Sequence, residues 1–257
     1  MKAKFWIIGL ALLLATLFPT IVKAQTTYSD NFQRANENPL KSPWVWFGGN
    51  FQLSNDVIEP QYGATSGYGG AYMYYGPSAT DQFSQVTVKA VVGNSFVGAA
   101  VRMTSYGGGN AWYEFHADGP LGSQGYVILE KYEPTGGVYL NYTLATVNPG
   151  DVLKITAVGN VLTGYVNGVQ IVQATDSDLP SGWFGATAYA GNLATDAEIS
   201  AWSGGSLSSA PSGSLTFVAV PIKSYASCSP GQASYDLNFF YLCVAQNSWR
   251  RTPLGSF

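Results

Sequence analysis

Hydrophobic and polar residues alternate along most of this chain with a period of two. Leu153, Ile155 and Ala157 alternate with Lys154, Thr156 and Val158, and similar short runs recur from Thr26 to Trp202. Side chains of a strand point to opposite faces in turn, so this pattern predicts strands that are buried on one side. FQLSN and DVIEP flank a tight turn at Asn55-Asp56. QFSQVTVKAVV, SFVGAAVRM, AWYEFHA, GYVILEKYEP, VYLNYTLATV, DVLKITAVG, VLTGYVNG, VQIVQATD, GWFGATAYA and DAEISAWSG follow. No segment sustains a helical period. Gly159-Asn160 and Asn167-Gly168 are hairpin turns by their chemistry, since Asn-Gly readily takes the positive φ that a tight hairpin needs. The expected fold class is all-β: two antiparallel sheets packed face to face as a jelly-roll sandwich.

Alternation also assigns faces. Val97, Ala99, Val101 and Met103 read as core, leaving Gly98, Ala100 and Arg102 outside. Ala111, Tyr113 and Phe115 read as buried, with Trp112, Glu114 and His116 outside. Val127 and Leu129 point in; Tyr126, Ile128, Glu130 and Tyr132 point out. If these strands are neighbours, one outer face mixes small residues, aromatic rings and hydrogen-bonding charges, which suits a sugar: rings meet C–H faces while charged groups meet hydroxyls. Arg102, Trp112, Glu114, His116 and Glu130 are the candidate binding residues on it. The stretch QYGATSGYGGAYMYYG reads as a loop and a second candidate, with Tyr68 and Tyr72 foremost, because Tyr offers contact area at little entropic cost. The alternatives are a solvated face with scattered aromatic residues and an irregular edge.

The two ends differ from this middle. MKAK, the apolar run FWIIGLALLLATLF and the exit Val22-Lys23-Ala24 have the layout of a secretory signal peptide over residues 1–24. An uncleaved anchor is the alternative, but the run falls short of the roughly 20 residues a span needs. No membrane span is expected after cleavage. The jelly roll then occupies residues 25–204. A Ser/Gly/Pro-rich stretch, SGGSLSSAPSGS, contains the linker at 205–214. A small β module of two or three strands fills 215–257. Its Cys228 and Cys243 are the chain's two cysteines, and in an exported protein such a pair reads as a disulfide. Closing a loop of this size contributes about 3 kcal/mol on the chain-entropy argument.

Charged residues make up 11% of the chain, and its net charge is −3. There is no basic patch to neutralise phosphates, so nucleic acid is excluded as a partner.

Three stretches carry a resemblance to a known family. They are SDNFQRANENPLKSPW, VGAAVRMTSYGGGNAWYEFHAD and PGDVLKITAVGNVLTGYVNGVQIVQATDSDLPSGWFGATAY. Together they resemble the concanavalin A-like lectin/glucanase superfamily in its laminin-G-like branch. The closing PGQASYDLNFFYLCVAQNSWRRTPL is similar to modules that end phage tail and virion-surface proteins, with Ser234 inserted and Ser248 in place of a threonine. The first resemblance allows calcium at Asp30, which occupies the family's acidic position, with Asp196 as a neighbour; no other cofactor is implied. It also raises glycoside hydrolysis. Laminarinase-type members carry a Glu-x-Asp-x-x-Glu strand, and retaining chemistry needs two carboxyl groups about 5 Å apart. Glu114 with Asp118, and Glu130 with Glu133, do not reproduce that pattern. His116, the single histidine, has neither a nucleophile elbow nor a zinc pattern beside it and reads as a surface residue. The expectation is therefore no enzyme and no convergent acids, but a secreted or cell-surface protein that recognises glycans. A structural surface protein, which meets a protein partner through residues 215–257, is the alternative.

Overall fold

The computed structural model describes residues 23–61, 69–208, 216–229 and 231–253. Residues 1–22 of the expected signal peptide and most of the linker lie outside them, whereas Lys23 and Ala24 already belong to the first strand. Contacts divide the chain after Leu207 into two compact units.

The first unit is the sandwich. Along the chain come β1 (Lys23–Asp30), β2 (Val45–Trp46), β3 (Phe51–Ser54), β4 (Val57–Pro60), β5 (Gly69–Ala79) and β6 (Gln82–Val91). Then follow β7 (Phe96–Tyr106), β8 (Gly109–Asp118), β9 (Gln124–Glu133), β10 (Gly136–Thr146) and β11 (Val152–Val158). β12 (Val161–Val166), β13 (Val169–Thr175), β14 (Gly182–Ala190) and β15 (Ala197–Ser208) complete it. One sheet has the order β13-β12-β11-β6-β15-β4-β3, with β1 also paired to β15; the other runs β10-β9-β8-β7-β14-β5-β2. Their facing sides share one core. Phe51, Ile58, Val86, Leu153 and Ile199 come from the first sheet, and Val97, Tyr113, Phe115, Leu129 and Phe184 from the second.

The hairpins follow from their turn residues. Asn55-Asp56 and Asn167-Gly168 both hold two successive positive φ values (52° and 65°, 51° and 80°), the backbone of a type I′ turn. Two expectations are corrected. Residues 69–76, placed in a tyrosine-rich loop by their Gly/Tyr composition, belong to β5, which pairs with β14 and β2. Residues 205–208 are strand rather than linker, since Gly205 and Ser206 still pair with Phe83 and Gln82 of β6.

A β-bulge breaks the alternation of β7. Between the pairs Val101↔Tyr113 and Thr104↔Ala111, two residues of β7 stand against one of β8. Arg102 takes a positive φ of 53° there. An extra residue reverses the phase of everything beyond it. Met103, expected in the core, therefore joins an outer-face cluster with Phe47, Ala100 and Trp112.

The second unit is small. β16 (Thr216–Phe217) runs parallel to β17 (Gln232–Tyr235), which continues as a meander through β18 (Phe239–Ala245) and β19 (Ser248–Pro253). Asp236 shapes the first turn by accepting from the backbone N–H groups of Asn238 and Phe239. Cys228 and Cys243 form the expected disulfide and pack with Trp249 in a core of their own. In so small a unit the cross-link adds to the order of the sheet by constraining the unfolded chain.

Candidate functional site

Chemistry concentrates on the outer face of the second sheet. Three expected residues meet there. β8 projects Glu114 and His116 on one side because they are two apart, and register sets Glu114 directly opposite Glu130 of β9. One donor atom from each of Glu114, His116 and Glu130 lies within 4.8 Å of the others. Nδ1 of His116 is 3.3 Å from Oε1 of Glu114, and its Nε2 is 3.9 Å from Oε2 of Glu130. The expectation that no acids converge is corrected. They converge across two strands, which spacing along a single strand cannot reveal.

Missing side chains make room for the cluster. Gly98 stands opposite His116, and a Cβ there would come within 2.7 Å of the histidine Cβ. A Cβ on Gly137 would overlap Oε1 of Glu130.

All three groups are buried, so His116 is not the surface residue expected: 2% of it is exposed, against 2% of Glu114 and 9% of Glu130. Burial opposes charge on Glu114, but His116 and the Trp112 Nε1 donor outweigh it and hold the carboxyl below its usual range. Burial likewise opposes charge on His116, and the surrounding carboxylates raise its pKa nonetheless. Glu130 is pushed up to about 7 by burial and by the negative charge of Glu114. Two polar atoms in this neighbourhood, His116 Nδ1 and Thr187 Oγ1, are buried without a hydrogen-bond partner.

Aromatic residues frame the cluster. Phe96 stacks on His116 at 4.5 Å and on Tyr189 at 5.9 Å. On the other flank Trp112 stacks on Tyr132 at 4.2 Å, Phe47 meets its edge, and its Nε1 donates to Glu114 at 3.0 Å. Trp112 faces outward as expected but is covered, so its ring is no open platform. Open rings of this sheet include Tyr126, Tyr139 and Tyr142, with exposures of 47%, 59% and 57%. Tyr126 and Tyr139 each lie about 6 Å from Tyr142, ring to ring. Tyr139 pairs with Glu130 and Tyr142 with Ile128, so both share the cluster's face. Odd spacing would send them to opposite sides, but a bulge between Tyr139 and Asn141 restores the phase.

The remaining candidates fall elsewhere. Arg102 is corrected. The bulge turns it away from the outer face, and its guanidinium donates to the carbonyls of Thr80 (3.1 Å), Leu179 (3.0 Å) and Gly159. Tyr68 lies outside the described residues. Tyr72 pairs with Thr187 in β5, and its side chain lies outside what is described. Calcium at Asp30 is also corrected. One carboxylate oxygen accepts from Phe32 N (2.8 Å) and Arg34 (2.7 Å), the other from Trp44 Nε1 (2.9 Å). A guanidinium already stands where a cation would bind.

No family model and no curated protein matches the chain. Solved structures do. A protein of unknown function with a galectin-like fold from Bacillus subtilis aligns with 73% of this chain and 99% of its own, at 10% identity and a TM-score of 0.51. The fold is a galectin-like jelly roll. The carbohydrate-binding module CBM66 from Bacillus subtilis aligns with 64% of this chain and 92% of its own (17% identity, TM-score 0.45). A β-1,3-1,4-glucanase from a mouse hindgut metagenome aligns with 70% and 99% (14% identity, TM-score 0.45). Fold is all that likeness at this identity conveys. Among the described residues no helix is long and apolar enough to cross a membrane.

Proposed function

We propose that the jelly roll recognises a carbohydrate outside the cell, through the outer face of its seven-stranded sheet. One observation carries this reading. Three open tyrosine rings stand beside a buried acid–imidazole cluster on a single face. Rings of that kind stack on the C–H faces of a sugar, and Glu130, the least buried of the cluster, is placed to meet a hydroxyl. The disulfide suits an oxidising, extracellular setting. The opening and closing motifs support a laminin-G-like lineage and an attachment role for the second unit, whose Ile222 and Leu237 are almost fully exposed.

A glycan array probed with the mature chain tests the proposal. Hits that weaken about tenfold or more in Tyr139→Ala are expected, in line with an aromatic contact worth about 1.4 kcal/mol. A blank array, or hits indifferent to Tyr126, Tyr139 and Tyr142, overturns it.

A second reading, glycosidic cleavage, is favoured by the Glu114/Glu130 pair, because one acid is held low and the other high. Burial argues against it. Glu114 is closed off beneath Trp112 and His116, so it has no path to an anomeric carbon, and a single reachable acid does not complete either hydrolytic geometry. Release of reducing ends from β-glucans that is lost in Glu130→Gln would reverse that ranking.

A further inference from the structure

We propose that Glu114, His116 and Glu130 form a binding site for one divalent transition-metal ion, of which zinc best suits a mixed imidazole and carboxylate set. The inference deepens the glycan-recognition reading, since it concerns the same face, but it rests on separate observations.

The first observation is the donor set. An imidazole and two carboxylates from two adjacent strands offer one ligand atom each within 4.8 Å of one another. Tetrahedral ligation at zinc's usual bond lengths places ligand atoms about 3.4 Å apart, so side-chain shifts of about 1 Å close the site without moving the backbone. The second observation is an open valence. Nδ1 of His116 is fully enclosed and makes no hydrogen bond, although Oε1 of Glu114 lies 3.3 Å away. A buried polar atom without a partner is costly, and the cost is removed when a ligand supplies one. Thr187 Oγ1, also unpartnered, faces the cluster across Gly98 and could hold a metal-bound water. The third is seating. Gly98 and Gly137 leave the space that His116 and Glu130 occupy. Trp112 steadies Glu114 through its Nε1, as outer partners steady ligands in metal sites. The competing account is a self-contained cluster in which protonated His116 bridges both acids, and it predicts no affinity for metal.

The experiment uses tag-free mature protein stripped with a chelator. Zinc is titrated by calorimetry, and cobalt(II) is titrated in parallel by visible absorption, which reports low-symmetry ligation by imidazole and carboxylate. Binding of one ion per chain is expected, weakened in His116→Ala by more than the roughly 10- to 100-fold that outer-shell changes cost. If His116→Ala does not fold, the near-isosteric Glu114→Gln and Glu130→Gln read the same loss. No stoichiometric binding by the parent protein, or binding that survives these substitutions, overturns the inference. Glycan binding is measured on the stripped protein as well. A stripped protein that still binds glycan while refusing metal sinks this site alone, and one that takes metal but no glycan sinks the recognition reading alone.

Discussion

Arg102 and His116 are both buried basic side chains of the same sheet, on neighbouring strands, yet they are treated in opposite ways. Around Arg102 the arms of the guanidinium meet the carbonyls of Thr80, Leu179 and Gly159, and its own backbone N–H donates to Gln82. Close by, Tyr113 and Lys131 both meet Asp176, and Lys131 also meets Asp178 and Glu133. Around His116, two carboxylates crowd one imidazole, and one of its nitrogens is left without a bond. A satisfied buried charge fixes the paths of the loops it touches. A crowded one destabilises the fold and keeps a ligand's place open, the trade that functional sites commonly make.

Three measurements can break or sharpen this contrast. The largest effect belongs to Arg102→Met. Three carbonyls lose their donor at once, so the unfolding free energy from guanidinium denaturation should fall by about 3 kcal/mol or more. A loss below about 1 kcal/mol would mean that the clamp holds nothing. Next comes acid. Burial acts to raise the pKa of Asp176, but the hydrogen bonds from Tyr113 and the Asp178 backbone, with the charge of Lys131, bring it below the ordinary value. A lowered folded pKa adds stability that is complete above the unfolded value, near 4, and is lost as pH falls through the folded one. The parent should therefore weaken below about pH 4, and Asp176→Asn should flatten that slope. The smallest effect is expected from Glu130→Gln. Removing one of two crowded negative charges should leave stability within about 0.5 kcal/mol of the parent or raise it. A cost rivalling that of Arg102→Met would make the cluster a structural device after all.

Much of the sandwich was legible from pattern alone. Alternation located most of its strands, and turn chemistry placed the hairpins at Asn55-Asp56 and Asn167-Gly168, because both signals are local. The faces of β8 and β9 were legible for the same reason, so Glu114, His116 and Glu130 were rightly placed outward. Their meeting was not, since the register Glu114↔Glu130 is decided by pairing between strands. Bulges hid the rest. One extra residue in β7 sends Arg102 inward and Met103 outward, and another in β10 brings Tyr139 and Tyr142 together. β5 escaped notice because its glycines and tyrosines resemble those of a binding loop.

Gly137 has a use beyond this one molecule. The Glu130 carboxylate fills the volume that any other residue's first side-chain carbon would need. Even alanine at position 137 would force the Glu130 carboxylate to shift away and change the spacing of the trio. A related chain that carries glycine there together with both acids and the imidazole keeps the whole apparatus, and one that has gained a side chain at that point has abandoned it, whatever else its fold preserves.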